Sequence, residues 1–235
     1  DAKTSLAFVA HDEAADREFS FYRENTADTR FSPGSIPDHV LDTVEWVVFG
    51  GVCLSGEPAR TAMFDLVDRA VDRGCTVAFD PNARPELWDG GFRAAFDTAC
   101  EAADVVKATP EDLVAAGVDG PPDVLLNAIL KRGPHTALLT LGDEGAIARA
   151  TDAAPWGPSG ASRSGYDVDV VDTTGAGDGF TAGAIRGLAD GLGLDGAVSL
   201  ANAAAAATTT ESGAIDADVD RSVVEVYANG RHCLT

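Results

Sequence analysis

A glycine-rich turn is the part of this chain whose residue types and spacing could do chemistry. It lies in the string DTTGAGDGFTAG, Asp172–Gly183, between an alternating apolar run, Tyr166–Val171, that predicts a strand and a stretch, Phe180–Leu188, that predicts a helix. Small residues at a helix start let successive backbone N–H groups point at one spot, where the helix dipole adds partial positive charge. The turn therefore predicts an anion site. Its residues are Gly175, Ala176 and Gly177.

Asp178 follows this turn directly, and its negative charge is unexpected there. A carboxylate beside an anion site is repelled, unless it takes a proton from the group that attacks the anion. A carboxylate next to a phosphate cradle indicates phosphoryl transfer to a hydroxyl. The alternative is a plain glycine-rich helix start, in which Asp178 only complements the helix dipole.

The full string DTTGAGD resembles the second signature of the ribokinase-like (PfkB) family of sugar kinases. The resemblance implies that Asp178 is the catalytic base and that the backbone of Gly175 to Asp178 forms the anion hole for the transferred phosphate. It also implies that Asp172 and Thr174 help to hold a monovalent cation such as K⁺. The strings FDPNARPELW and REFSFYR most resemble the fructokinase and 2-keto-3-deoxygluconate kinase branch.

Polar residues also follow another predicted strand, Thr76–Phe79, in the string Asp-Pro-Asn-Ala-Arg. Ligands in open α/β sheets bind beyond the carboxyl ends of strands, and Arg84 offers a planar fork suited to carboxylate, phosphate or sugar hydroxyls. In the D-x-N-x-R motif that this resembles, the arginine, here Arg84, reaches the substrate and Asn82 lies near the phosphate path. The alternative is an Asp/Asn turn with a surface arginine.

The run Phe21, Tyr22 and Arg23 ends a further strand-like stretch. The resemblance implies that this run lines the sugar site, with Phe21 and Arg23 as substrate-binding residues. The alternative is an exposed amphipathic strand. A carboxylate on an acidic sugar would pair with Arg23 or Arg84, whereas Phe21 favours a neutral sugar because a polar residue there would better serve an acid.

Two motifs concern the nucleotide. T-x-G-x-x-G, with Thr140, Gly142 and Gly145, follows a predicted strand, and a glycine turn lets a phosphate approach the backbone, although such turns are common. The resemblance makes these three residues part of the nucleotide site and places Asn202, in the string ANAAAAAT, next to the adenine. The alternative for Asn202 is a polar helix residue that faces solvent.

The string KATPE is the second nucleotide motif. The resembled family often has N-x-x-E here, and its glutamate acts through water on the magnesium of the nucleotide. This chain keeps Glu111 but has Ala108 in place of the asparagine, which weakens the Mg²⁺ assignment without removing it. The resemblance also places Lys107 at the nucleotide. The alternative for Glu111 is a first-turn carboxylate that complements the helix dipole.

Short apolar runs alternate with amphipathic stretches along the chain, which predicts an α/β fold with a parallel sheet covered by helices on both faces. The resemblance implies a ribokinase-like three-layer αβα sandwich with a mostly parallel sheet and an incomplete small β lid. Residues Ala153–Ser164 suit a loop or hairpin connection. The predicted strands are Ser5–Ala10, Glu18–Arg23, Trp46–Gly51, Thr76–Phe79, Val105–Lys107, Ala137–Thr140, Gly145–Ala150 and Tyr166–Val171. The predicted helices are Asp38–Val44, Pro58–Arg73, Gly90–Ala102, Pro110–Ala116, Pro122–Arg132, Phe180–Leu188 and Asp195–Thr208.

Composition excludes several classes of function. The 235 residues carry a net charge of −21, which argues against nucleic acid and anionic membranes as partners because their phosphates would be repelled. No apolar run approaches the length of a membrane span. Only three lysines occur among widely dispersed acidic residues, which indicates a halophilic protein adapted to a high-salt cytoplasm.

The resemblance covers the whole chain and implies one sugar kinase domain over residues 1–235, with residues 1–35 as a remnant of lid and substrate-site strands. Family members usually carry a further N-terminal segment with a glycine-rich substrate motif, and none is recognisable here. The chain therefore resembles the C-terminal part, about three quarters, of such a kinase. We expect either a fragment or a truncated relative.

These inferences predict an ATP-dependent sugar kinase of the cytoplasm that uses ATP and Mg²⁺, with K⁺ as a further cation. The first substrate is fructose or a related ketose. The alternatives are 2-keto-3-deoxygluconate, a nucleoside, or a non-catalytic nucleotide-binding remnant. The expected partners are a small sugar and ATP, without nucleic acid or membrane, and the resemblance allows a homodimer.

Overall fold

A computed structural model describes residues 2–11, 17–213 and 224 of the chain. Over these residues it contains eight strands and seven α-helices. The strands are β1 (Leu6–His11), β2 (Arg17–Tyr22), β3 (Trp46–Gly50), β4 (Thr76–Asp80), β5 (Val105–Ala108), β6 (Thr136–Thr140), β7 (Ala146–Ala150) and β8 (Ser159–Arg163). The helices are α1 (Asp38–Leu41), α2 (Ala59–Val71), α3 (Phe92–Ala102), α4 (Pro110–Ala115), α5 (Pro122–Leu130), α6 (Ala176–Ala189) and α7 (Gly193–Thr208).

The chain divides into two compact units, Asp1–Val105 with Glu111–Val118, and Val106–Pro110 with Asp119–Thr235. In the first unit, β1 and β2 form the antiparallel pair that the sequence predicts, with Leu6 opposite Tyr22. Strands β3 and β4 pair in parallel, because helix α2 carries the chain back between them. The predicted polar connection between β1 and β2 falls largely on residues 12–16, outside the described residues.

The core of the first unit follows from the sequence periodicities. Phe49 of β3 stacks on Phe79 of β4, with ring centroids 4.8 Å apart, and Phe96 of α3 lies 6.1 Å from Phe79. All three rings are buried. Aromatic side chains bury large apolar areas, so this cluster fixes the strand β4 whose end carries the Asp-Pro-Asn-Ala-Arg string.

In the second unit, β6, β7 and β8 form an antiparallel series, with Thr136 opposite Ala150 and Ala146 opposite Arg163. Hydrogen bonding orders six strands of the protein as β3-β4-β5-β6-β7-β8. The predicted α/β class with a mostly parallel sheet is therefore confirmed, and the antiparallel strands lie at one end of that order.

Helices α6 and α7 pack at backbone distance. A Cβ atom on Gly183 would lie 2.8 Å from the Cα of Ala201, and one on Gly187 would lie 2.6 Å from the Cα of Ala197. Gly179, one turn earlier, would meet the hydroxyl of Thr208 at 2.5 Å. Real Cβ atoms do not come this close, so any side chain at these positions would force the helices apart.

Two predicted elements are wrong. Tyr166–Val171 is not a strand: the N–H groups of Val171 and Asp172 both donate to the carbonyl of Thr209, at 2.8 and 3.2 Å, just beyond the end of α7. Tyr166 and Val168 are half-buried, but Val170 and Val171 are exposed, so the apolar pattern continues beyond the part of the segment that packs on the protein. The strand β8 lies inside the predicted connection Ala153–Ser164.

The strand β8 escaped prediction because its sequence, SGASR, lacks apolar alternation. Four of its five residues are exposed, as befits a strand at the end of the sheet order.

The other predicted helices and strands are present, with ends that differ by a few residues. The domain boundaries, and the lid over residues 1–35, stay predictions.

Candidate active site

The predicted anion site is the start of helix α6. Gly175 caps this helix with φ of 83°, a left-handed conformation that favours glycine, and Ala176 is its first residue. The N–H of Gly179 donates to the carbonyl of Gly175 at 2.8 Å, which closes the first turn. The N–H groups ahead of it have no partner inside the helix, so those of Gly177 and Asp178 can donate to an anion. The turn follows an irregular segment rather than the predicted strand.

Asp178 lies in this first turn, and its side chain is exposed. Its position leaves the carboxylate open to a hydroxyl that approaches the anion site. Placement in a first turn is also what the dipole alternative predicts, and the turnover of an Asp178 variant separates the two roles.

The segment before the turn is fixed by Asp172. One carboxylate oxygen, Oδ1, accepts from the backbone N–H and the hydroxyl of Thr174, at 2.9 and 2.7 Å. The other, Oδ2, accepts from the N–H of Gly213 at 3.1 Å. Asp172 and Thr174 therefore lie together, as expected, and their oxygens form a donor set that suits a hard cation.

Lys107 lies against the same turn. Only 7% of this residue is exposed, and its Nζ lies 3.1 Å from where a Cβ of Gly177 would stand. The missing side chain at Gly177 thus makes room for an ammonium group at the positive end of helix α6. A phosphate bound at this helix start would therefore meet the ammonium group as well as the backbone N–H groups. The family resemblance predicted that Lys107 contacts the nucleotide, but the sequence did not predict that Lys107 lies next to Gly177.

The T-x-G-x-x-G residues divide into two roles. The hydroxyl of Thr140 lies 3.4 Å from the carbonyl of Ala108, and Gly142, with φ of 64°, faces open space. Gly145 is different, because a Cβ there would lie 2.1 Å from the carbonyl of Arg163. Close packing accounts for Gly145, whereas Gly142 leaves room for a ligand.

Asn202 does not face solvent, so that alternative is wrong. The residue is 5% exposed, and its Nδ2 donates to the carbonyls of Arg163 and Ser164, each at 3.0 Å. Asn202 and Gly145 therefore both contact the backbone of residues 163–165, Asn202 by hydrogen bonds and Gly145 by close packing. Both amide hydrogens are used, so the Oδ1 atom is the one that could accept from an adenine amino group.

The sugar-site residues predicted from Asp-Pro-Asn-Ala-Arg belong to the first unit. Asn82 is exposed with φ of 39°, and Arg84 is half-buried and donates to the carbonyl of Ala83 at 2.9 Å. The N–H of Ala83 donates to the buried carboxylate of Asp112 at 2.7 Å. The sequence reasoning missed Asp112, although an acid beside Glu111 in the string PED was a signal.

Arg23 and Phe21 also lie in the first unit, where Phe21 is half-buried. The guanidinium of Arg23 is ion-paired with Asp28: its Nε and Nη2 both lie 2.7 Å from Asp28 Oδ2. Its Nη1 donates to the hydroxyl of Ser55 at 3.3 Å. The sequence reasoning treated Arg23 as open to a sugar carboxylate and did not consider Asp28.

Glu111 is exposed in the first turn of helix α4. Over residues 2–11, 17–213 and 224, no three His, Cys, Asp or Glu side chains gather as a metal site. None of the helices in these residues is long and apolar enough to cross a membrane. The Mg²⁺ role of Glu111, which would act through water, stays a prediction.

Known proteins resemble this chain along almost all of its length. Residues 1–221 match the family described as "pfkB family carbohydrate kinase". Fructokinase-1 of Oryza sativa subsp. japonica is 32% identical over 224 residues, which are 91% of this chain and 68% of that protein.

Two solved structures have the same fold. A putative ribokinase II from E. coli superposes with a TM-score of 0.84 and 25% identity over 98% of this chain and 72% of that one. A fructokinase double mutant from Vibrio cholerae O395, bound to fructose, ADP and potassium ion, superposes with a TM-score of 0.82. It is 28% identical, and the match covers 97% of this chain and 73% of that one. The ribokinase-like fold is thereby shown, and this chain belongs to the pfkB family of carbohydrate kinases.

Proposed function

We propose that this protein catalyses the ATP-dependent phosphorylation of a hydroxyl of fructose. One observation carries the proposal: in a pfkB-family chain the exposed carboxylate of Asp178 lies in the first turn of helix α6, and the buried Lys107 lies against Gly177 of the same turn. The fructokinase relative and the fructose-bound fructokinase structure support the choice of sugar.

In this mechanism the chain acts mainly by position and charge. Asp178 accepts the proton of the sugar hydroxyl as the oxygen attacks the γ-phosphorus of ATP, and the bond to the ADP oxygen breaks. The N–H groups of Gly177 and Asp178 donate to the moving phosphoryl group, whose negative charge they stabilise. Gly175 and Ala176 set the conformation of the turn that aims these groups.

The remaining predicted residues bind and orient the substrates. Gly142 leaves room for the nucleotide beyond β6, close to Thr140, and Asn202 would accept from the adenine through Oδ1. Gly145 contributes by letting residues 163–165 pack beneath that turn. At the sugar, Arg84 and Asn82 would donate to hydroxyls from the end of β4.

Two cations complete the proposal. Mg²⁺ neutralises nucleotide phosphate charge when bound, and the exposed carboxylate of Glu111 would hold it through water. The paired oxygens of Asp172 and Thr174 would hold a monovalent cation such as K⁺. A cytoplasmic location and a homodimer stay predictions.

The sugar is tested by steady-state kinetics of the protein with ATP on fructose, 2-keto-3-deoxygluconate and a nucleoside. We expect kcat/KM for fructose to exceed the value for the keto acid by more than about tenfold, a difference of ~1.4 kcal/mol in transition-state binding. A preference of that size for the keto acid would reverse the assignment. ATP binding without turnover on any sugar would instead favour a nucleotide-binding protein.

We also propose that the protein is halophilic. It has 38 acidic against 17 basic residues, so many carboxylates cannot pair even though arginines such as Arg69, Arg73 and Arg149 form ion pairs. Each exposed ion pair contributes only ~0–1 kcal/mol to stability, and salt weakens this attraction. Salt also screens the repulsion among the excess carboxylates, which is the larger effect. The melting temperature should therefore rise between about 0.1 M and 1 M KCl, where the Debye length falls from ~10 to ~3 Å.

Choline chloride at equal ionic strength separates general screening from K⁺ binding. Screening predicts the same rise in both salts, whereas a cation held by Asp172 and Thr174 predicts an additional rise in KCl alone. A melting temperature that stays flat or falls in both salts would contradict halophily.

A further inference from the structure

The Arg23–Asp28 ion pair lies just beyond the end of strand β2, next to the run predicted to bind the sugar. The two Arg23 nitrogens that face Asp28 each lie 2.7 Å from its Oδ2, and only 13% of the Arg23 side chain and 33% of the Asp28 side chain are exposed. Ion pairs with this degree of burial are screened less by salt than exposed ones. One of the two guanidinium edges that can form a bidentate pair with a carboxylate, the edge of Nε and Nη2, is thus already used by this chain.

Asp28 is itself held in place. Its Oδ1 lies 2.6 Å from the hydroxyl of Thr26, a residue that is almost fully buried, and that hydroxyl lies 3.0 Å from the carbonyl of Arg23. The N–H of Ala27 donates to the carbonyl of Lys3 at 2.8 Å, which anchors the loop. Burial by itself raises the pKa of Asp28, but hydrogen bonds from Thr26 and Arg23 outweigh it and hold that pKa below its ordinary value. Asp28 is therefore charged at neutral pH.

We propose that Asp28 is a specificity-determining residue that makes Arg23 a donor for neutral sugars and excludes acidic ones. The inference rests on the proposed function and deepens it. A carboxylate that approaches Arg23 meets a pair without net charge and is repelled by Asp28. A sugar hydroxyl needs no net charge, and it can accept from Nη1, the nitrogen that now donates to Ser55 at the long distance of 3.3 Å.

The test is the ratio of kcat/KM values for fructose and 2-keto-3-deoxygluconate in the wild type and in Asp28→Asn. The substitution keeps the shape of the side chain and removes its charge. We expect the ratio to shift toward the keto acid by at least about tenfold, because the freed guanidinium gains a charge-assisted partner in the acid and only a neutral one in fructose.

The double variant Asp28→Asn/Arg23→Gln should not show this shift toward the keto acid, because it lacks the guanidinium that would pair with the acid. A matched control is Asp190→Asn, which removes a carboxylate of similar exposure from the ion pair with Arg186. It should leave the ratio unchanged. A ratio that also stays unchanged in Asp28→Asn, with equal losses on both sugars, would show that the pair is only structural and would overturn the proposal.

Arg23→Gln is a second route if Asp28→Asn does not fold. It uncovers the Asp28 carboxylate, so it should penalise the keto acid at least about tenfold more than fructose. Shifts of melting temperature with each sugar give the same comparison without turnover. Failure of the proposed function appears separately, as a wild type that phosphorylates no fructose, and sugar-induced shifts would then still decide the role of Asp28.

Discussion

Replacing Asp178 by Asn should lower kcat for fructose by at least about 10², the usual cost of removing a positioned base. Asn keeps the size of the side chain and its place in the first turn of α6, but it cannot take a proton at neutral pH. The N–H groups proposed to bind the phosphates are backbone groups, so they survive the change. The dissociation constant for ADP, measured by titration calorimetry, should therefore change little.

The dipole alternative makes a different forecast for the same variant. If Asp178 only complements the helix dipole, its loss costs a few tenths to about 1 kcal/mol of stability and leaves turnover intact. Asp123→Asn is a control, because Asp123 is a first-turn acid of another helix, α5; it also pairs with Arg149, so its fall in melting temperature sets an upper limit for the dipole effect. Near-normal kcat in Asp178→Asn, with a fall in melting temperature like that of the control, would contradict the base assignment.

Replacing Lys107 by Met should lower kcat by about 10² to 10³, the range found when one preorganised donor is removed from a site of developing charge. The Lys107 ammonium is buried against Gly177, in the turn whose amides donate to the phosphoryl group in the proposed mechanism. Its charge gains strength from that burial, since water is excluded. Met has nearly the same length and suits a buried position, so the fold should tolerate the change.

Lys131→Met serves as the control, because it removes the same charge from an exposed position. It should leave kcat within about twofold of the wild type, since surface substitutions away from a site change free energies by less than ~0.5 kcal/mol. If Lys107→Met keeps its kcat and loses only ATP affinity, Lys107 binds the nucleotide without assisting transfer. Unchanged kcat and ATP affinity together would remove Lys107 from the site.

The sequence predicted those elements whose periodicity reflects burial. Strand β4 reads as an almost continuous apolar run because both of its faces are covered, and α2 shows helical spacing because one face is buried. Tyr166–Val171 alternates like a half-buried strand, and Tyr166 and Val168 are indeed half-buried, but the segment pairs with none of the described strands and Val170 and Val171 are exposed. Strand β8 had the opposite fault, a real strand without an apolar pattern.

The candidate site shows the same limit. The turn at Gly175 could be found from sequence because an anion site at a helix start is local, and its residues are neighbours in the chain. The approach of Lys107 to Gly177 joins residues far apart in sequence, so only a folded chain shows it. Asp28 is only five residues from Arg23, yet the residue types alone do not predict which acidic side chain forms an ion pair with a given arginine.

The close approach of α6 to α7 at its glycines fixes the position and the rotation of helix α6 relative to α7. Sliding or turning it by one residue would bring Phe180 or Ala184, in place of a glycine, against the backbone of α7. Asp178 lies in the first turn of this helix, so under the proposed function its carboxylate has a fixed place, and the sugar hydroxyl has to be brought to it.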